Sequence, residues 1–239
     1  MSWKRAGACF ASITIVACSS FGAAPVPDGG VVPDGGVGAE AGDAATCSPE
    51  SCAGLGPSCR SYDFATGCPA DWTFSGDATR VVGECTGGKL HVAADATLDV
   101  AGELSLTTPG VVDAIHVSAR IAVTKWDGGR LLSVQVGGEM VALIRAVIAA
   151  SGNPRFTLCR SHSETDCAAE TFEGKLGVEH VFALEVTSTA TALSVDCHPV
   201  ASKASVIAPP SSPGLVVMFG KADAAPIDGT LDDVVVSYR

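Results

Sequence analysis

From residue 70 to the C-terminus, apolar residues come in short runs whose side chains alternate between two faces. In "HVFALEVT", Val181, Ala183, Glu185 and Thr187 fall on one face and Phe182, Leu184 and Val186 on the other. That period of two is the signature of a strand with one buried side. Similar runs recur as "KLHVAA", "TLDVAGELSL", "AIHVSARIAV", "LLSVQV", "FTLCR", "ALSVDC", "LVVMFG" and "LDDVVVSY", with Gly, Pro and Asp between them. The run "MVALIRAVIAA" is long enough for a helix, yet no capping residue precedes it and "GG" and "SGN" bracket it, so it reads as strand. About eleven strands without a convincing helix leave few options. The expectation is an all-β domain over 70–239, a two-sheet antiparallel β-sandwich or jelly roll. A chain that is 47% hydrophobic, 17% charged and rich in glycine (27 residues) can fill such a core and make its turns.

The N-terminal part is different. Lys4 and Arg5 precede the 12-residue, mostly apolar stretch Ala6–Ala17, too short for a bilayer span of roughly 20 residues but right for an export signal. Ile15-Val16-Ala17-Cys18 resembles a bacterial lipobox, which implies a signal peptide over 1–17 and lipid attachment at Cys18. Ser19, being non-acidic, suggests by the same resemblance an outer-membrane destination. Residues 18–46 contain "VPDGGV" twice in tandem and are dominated by Pro, Gly, Ala and acidic residues, which is linker chemistry. Residues 47–69 hold four cysteines with little apolar content and read as a disulfide-stapled collar.

Ten cysteines occur in all. Removing Cys9 with the signal and committing Cys18 to lipid leaves eight, an even number suited to an oxidising compartment. Eight cysteines can pair in on the order of a hundred ways. Cys159–Cys167 is favoured because it spans the polar loop "CRSHSETDC" between two strand ends, and Cys68–Cys85 is the second choice. A formal charge of −11 repels phosphate backbones and argues against nucleic acid as a partner.

Two segments resemble the concanavalin A-like lectin/glucanase superfamily, in particular its laminin-G-like bacterial domains. "EHVFALEVTSTATALSVDC" is similar to the family's central hairpin, with His180, Val181, Ala183, Leu184, Val186, Leu193, Val195 and Asp196 on the pattern. "GTLDDVVVSYR" is similar to the last strand. The resemblance implies a concanavalin A-like jelly roll. Cys197 stands where the family hairpin usually has Gly, which implies a turn held by a disulfide. The superfamily includes lectins, glycosidases, adhesion modules and spacers, so fold does not settle function.

Candidate chemistry is sparse. In the last strand Val234, Val236 and Tyr238 share a face while Leu231 has the opposite parity, so a β-bulge is expected at Asp232-Asp233. The doublet's expected role is to satisfy backbone N–H groups, with calcium binding as the alternative. Trp126 in "KWDGGR" sits at a turn and is the one plausible sugar-stacking platform, against a reading in which it covers a sheet edge. The nearest approach to a glucanase carboxylate pattern, Glu164, Asp166 and Glu170, would spread over roughly 20 Å of extended strand, too far for a retaining pair. No nucleophile elbow, phosphate loop or metal-ligand histidine spacing occurs. The expected function is a lipid-anchored, non-catalytic surface domain binding glycan or protein. The alternatives are a structural envelope spacer and, less favoured, a glycosidase or polysaccharide lyase.

Overall fold

A computed structural model describes Cys47, Pro49, Cys52 and residues 58–239, apart from 76–80, 95–100, 109–111, 127, 161–165, 205–213 and 222–225. Cys18, the signal peptide and the linker lie outside the described residues. Fifteen strands are found among the described residues and no α-helix. In chain order they are β1 (Cys59–Tyr62), β2 (Trp72–Ser75), β3 (Val81–Thr86), β4 (Lys89–Ala94), β5 (Ala101–Leu106), β6 (Ala114–Trp126), β7 (Gly129–Val136) and β8 (Glu139–Ile148). There follow β9 (Pro154–Cys159), β10 (Cys167–Glu173), β11 (Glu179–Thr187), β12 (Ala190–Val195), β13 (His198–Ala204), β14 (Leu215–Lys221) and β15 (Ile227–Tyr238).

They form two antiparallel sheets. Sheet I runs β13-β12-β11-β6-β15-β4-β3, with β1 also paired to β15, and sheet II runs β10-β9-β8-β7-β14-β5-β2. "MVALIRAVIAA" is strand β8 for most of its length. The two sheets turn their apolar faces together, as the alternation required. Val117, Ala119 and Ile121 of β6, Phe182, Leu184 and Val186 of β11, and Leu132 and Val134 of β7 are all buried. Phe156 on sheet II meets Phe182 on sheet I edge-on at 4.9 Å between ring centroids. Tyr62 of sheet I meets Trp72 of sheet II the same way at 5.9 Å. Such edge-to-face pairs add geometric preference to the area they bury.

Trp126 belongs to this core. It closes the long strand β6, opposite Ile227 of β15, and is 1% exposed, with Phe219 of sheet II at 6.3 Å. Its faces are therefore packed, which removes it as a sugar platform. Gly229 helps make the space: a Cβ there would lie 2.9 Å from the Ala122 carbonyl and 3.5 Å from the indole.

Four disulfides join Cys47–Cys197, Cys52–Cys59, Cys68–Cys85 and Cys159–Cys167. They fit an extracytoplasmic protein. Cys159 and Cys167 are direct cross-strand partners of β9 and β10. The segment 47–69 is stapled into the sandwich. Cys47 reaches the β12–β13 turn, Cys68 reaches β3, and β1 pairs with the last strand, so the sandwich begins before residue 70.

Candidate functional site

Strand β15 keeps β6 on one side throughout but changes partner on the other. β4 pairs with Ile227–Leu231 and β1 with Val234–Ser237. The register against β6 shifts between Asp232 and Val235, at the change of partner, and Asp233 has φ +46°. This is the expected bulge. One extra residue lets Leu231, Val234 and Val236 all face the core.

The carboxylates of the doublet are engaged. Asp232 Oδ1 accepts the N–H of Asp233 at 2.8 Å. Arg120 Nε donates to Asp233 Oδ2 at 2.8 Å, and the same guanidinium lies 3.8 Å from Glu179, which is itself ion-paired with Lys89. Partial burial pushes the Asp232 carboxyl up from its ordinary value, opposed by the N–H that it accepts. Arg120 supplies a positive charge at Asp233. Among the described residues no group of three His, Cys, Asp or Glu side chains is gathered for a metal.

A cleft of about 530 Å³ opens at the bulge, lined among others by Pro49, Ser61, Asp63, Arg120, Asp233 and Val235. It thus holds two acids, the minimum for general acid–base work. Both are occupied by folding roles, Asp233 with Arg120 and Asp63 with the N–H of Ala65 at 3.1 Å. Sequence reasoning singled out Asp233 but missed this cleft, because its wall from 49 to 69 is brought there by disulfides and by β1.

The other residues of interest are scattered. His180 faces inward and donates from Nδ1 to Asp196 Oδ2 at 2.7 Å, while Asp196 Oδ1 accepts the Val181 N–H at 2.9 Å. Asp196 and Cys197 occupy the two left-handed positions (φ +49° and +63°) of the β12–β13 hairpin turn. The disulfide from Cys197 to Cys47 holds that turn. Asp166 is bound by Arg160 at 2.9 Å and by Lys203 at 3.5 Å, so it is structural, and Glu170 is exposed on β10. Glu164 lies outside the described residues.

The outward face of sheet II carries a different set. Across it run the register partners Arg130 (β7), Arg145 (β8), Thr157 (β9) and Thr171 (β10). Arg155, two residues along β9 from Thr157, is paired with Glu173 at 3.9 Å. A hydrogen bond from Ser151, ahead of those from Asn153 and the charge of Arg155, lowers the Glu173 pKa. Two carboxylates on outward positions of this sheet are Glu103 on β5 and Glu173 on β10, while Glu170 is exposed in the irregular stretch of β10 between Cys167 and Thr171. Five strand spacings separate Glu103 from Glu173, about 24 Å at ~4.8 Å each. Ser133, Leu143 and Cys159 in the next row are buried although their parity points them away from the core. Arg130, Arg145 and Thr157 are half-buried, and Arg155, Thr171 and Glu173 beside the β8–β9 hairpin are exposed.

No family model and no curated protein sequence matches this chain. Solved structures do. A sialidase superposes with a TM-score of 0.54 at 12% identity, over 75% of this chain and 18% of that one. Bacteroides ovatus xyloglucan PUL GH43B gives 0.52 at 14% identity, over 75% of this chain and 38% of that one. An endo-β-1,3-glucanase from Pyrococcus furiosus gives 0.50 at 13% identity, over 75% and 94%. The chain therefore spans less than two fifths of the first two proteins. At such identities the likeness is one of architecture, and it agrees with the strand order: the chain folds as a concanavalin A-like, two-sheet jelly roll.

Proposed function

We propose that this protein is an extracytoplasmic, non-catalytic module that binds glycan, held to a membrane by lipid on Cys18 with 18–46 as its tether. The observation that carries the reading is the outward face of sheet II. It offers guanidinium and hydroxyl groups in register across neighbouring strands, while Glu103 and Glu173 on it stand about 24 Å apart. Glycoside hydrolysis by paired acids needs them within about 10 Å. That a sialidase, a GH43B protein of a xyloglucan locus and an endo-β-1,3-glucanase share the fold favours a carbohydrate ligand. Ser19 after Cys18 favours the outer membrane as the destination.

A glycan array probed with the full chain, with and without calcium, tests the ligand half. Binding to one glycan class is the expected result, and silence across the array contradicts it. For the anchor, a Cys18→Ser variant leaves the membrane fraction. One that still sediments with membranes refutes lipidation at Cys18.

A second reading, a structural spacer of the envelope, is favoured by a specific observation. Trp72 and Trp126 are both buried, so neither gives the exposed platform on which lectins of this fold class stack sugar rings. The array separates the two readings, since a spacer binds nothing there.

A further inference from the structure

The two ends of the sandwich differ. Among the described residues the exposed large apolar side chains are Ile148, Leu176 and Val178, and all three lie at one end. Ile148 closes β8 opposite Pro154, the first residue of β9. The Gly174 N–H donates to the Pro154 carbonyl at 3.0 Å, and the Gly177 N–H donates to the Val123 carbonyl of β6 at 2.7 Å. The β10–β11 loop therefore crosses from sheet II to sheet I beside the β8–β9 hairpin, with Gly174 two strand spacings from Ile148, about 10 Å. That loop, "GKLGV", carries Lys175 and no acid. Lys125 stands exposed near the same end of β6. Apolar residues scattered singly over a surface need no explanation, but these are confined to one end. The chain also enters the sandwich there. Cys47 is bonded to Cys197 in the β12–β13 turn. In the same turn the Asp196 N–H donates to the Val181 carbonyl, and the Asp196 carboxylate holds His180, two residues after Val178.

We propose that this end is a membrane-docking surface, with Ile148, Leu176 and Val178 set into the interfacial region of the phospholipid bilayer that holds the lipid of Cys18. The inference rests on the anchored reading and adds the orientation of the domain. Linker chemistry over 18–46 gives a root-mean-square reach of about 30 Å, at ~5–6 Å times the square root of its length. It delivers Cys47, and so this end, to the bilayer. The opposite end lies about 40 Å further off, the length of the 13 residues of β6 at ~3.3 Å each. Three part-exposed side chains give a free protein little affinity for lipid. On a tether the same contact is intramolecular, at an effective concentration of millimolar order, and weak contacts then suffice. Lys175 and Lys125 can lay their stems along apolar surface and hold their ammonium groups at the level of the lipid phosphates. The acidic remainder of the molecule is repelled by an anionic leaflet, which favours the same orientation. Docked this way, the strands stand upright on the bilayer, and both sheet faces and the far loops stay open to a ligand.

The test places a tryptophan at one end or the other of the full chain, acylated at Cys18 and reconstituted into phosphatidylethanolamine/phosphatidylglycerol vesicles with brominated acyl chains. Trp72 and Trp126 are buried and give a constant background. Leu176→Trp is expected to lose emission to the bromines, more to shallow than to deep ones, because interfacial burial reaches only about 5–10 Å. Thr189→Trp, in the exposed β11–β12 turn at the far end, is expected to keep its emission. Val178→Ser added to Leu176→Trp is expected to reduce the quenching. All the substituted positions are exposed, so each variant is expected to melt with the parent. Equal quenching at the two ends overturns the orientation. Absence of quenching at both, in protein that still sediments with the vesicles, overturns docking and leaves the anchor intact. A parent chain that does not sediment with the vesicles defeats the anchored reading and the inference together. Self-association of the Cys18→Ser chain that Leu176→Ser abolishes makes a second copy the occupant of this end, and also overturns the inference.

Discussion

Replacing Asp233 by Gly, Asn and Val probes the bulge that reorganises the last strand. At φ +46° a glycine is at ease and Asn is tolerated, whereas a β-branched side chain crowds its own backbone. The left-handed conformation costs an ordinary L-residue about 1–2 kcal/mol, and Val stands at the upper end of that range. All three substitutions also lose the charged contact with Arg120. The Asp233 side chain is 46% exposed and that of Arg120 is 25% exposed, so solvent screening limits the loss to about 1 kcal/mol or less. For Gly the lost contact is largely offset by relief of backbone strain, and the net change is about 1 kcal/mol or less. For Val the lost contact adds to about 1 kcal/mol of backbone strain beyond that of Asp, giving about 2 kcal/mol. At ~2–4 °C per kcal/mol for a domain of this size, the Val variant melts about 4–8 °C lower. Asn falls between the two. Urea unfolding and a thermal scan on each purified variant measure the series. Equal stability for Gly and Val refutes the bulge, because a backbone in the ordinary strand region would favour Val.

Three further outcomes follow from the same geometry. Replacing Cys47 and Cys197 together by Ser opens a loop of 150 residues and costs up to about 5 kcal/mol if chain entropy dominates; an unchanged urea midpoint would show that the clip does nothing for stability. Asp196→Ala removes the acceptor for both the Val181 N–H and His180, a loss of about 2 kcal/mol, and a variant as stable as the parent contradicts the role given to that turn. Burial first, then Asp71, raises the Tyr62 phenol from 10.0 to about 12. Its folded value is the higher, so the stability it contributes is intact below pH 10 and is lost as the pH rises through 12. Phenolate absorbance read against Tyr62→Phe follows this ionisation. Asp71→Asn is expected to bring it only part of the way down, and a full return to 10 would make Asp71, not burial, the main cause.

The central hairpin and the last strand were legible because their information is local. "HVFALEVT" alternates cleanly and became β11, facing β12 in direct register. The change of parity at Asp232-Asp233 was a bulge in the sequence pattern before it was one in the backbone. Cys197 in place of glycine announced a stapled turn. Trp126 misled because "KWDGGR" reads as a turn, while the strand in fact extends through the tryptophan and buries it against Phe219, an element 93 residues further on. The segment 47–69 was legible in part: Cys68–Cys85 was among the expected pairings, whereas the bond from Cys47 to the β12–β13 turn joins residues 150 apart, which spacing cannot identify. The arginines of sheet II were equally hidden, since Arg130, Arg145 and Arg155 meet only through cross-strand register.

Binding without turnover is the decisive property. The full chain should be incubated with a panel of neutral and uronate polysaccharides, following bound protein, new reducing ends and unsaturated products in the same samples. Saturable binding to one of them with no new chain ends over many hours is the result expected. Release of reducing ends or unsaturated sugars that depends on the folded protein would contradict the account and make this sandwich an enzyme.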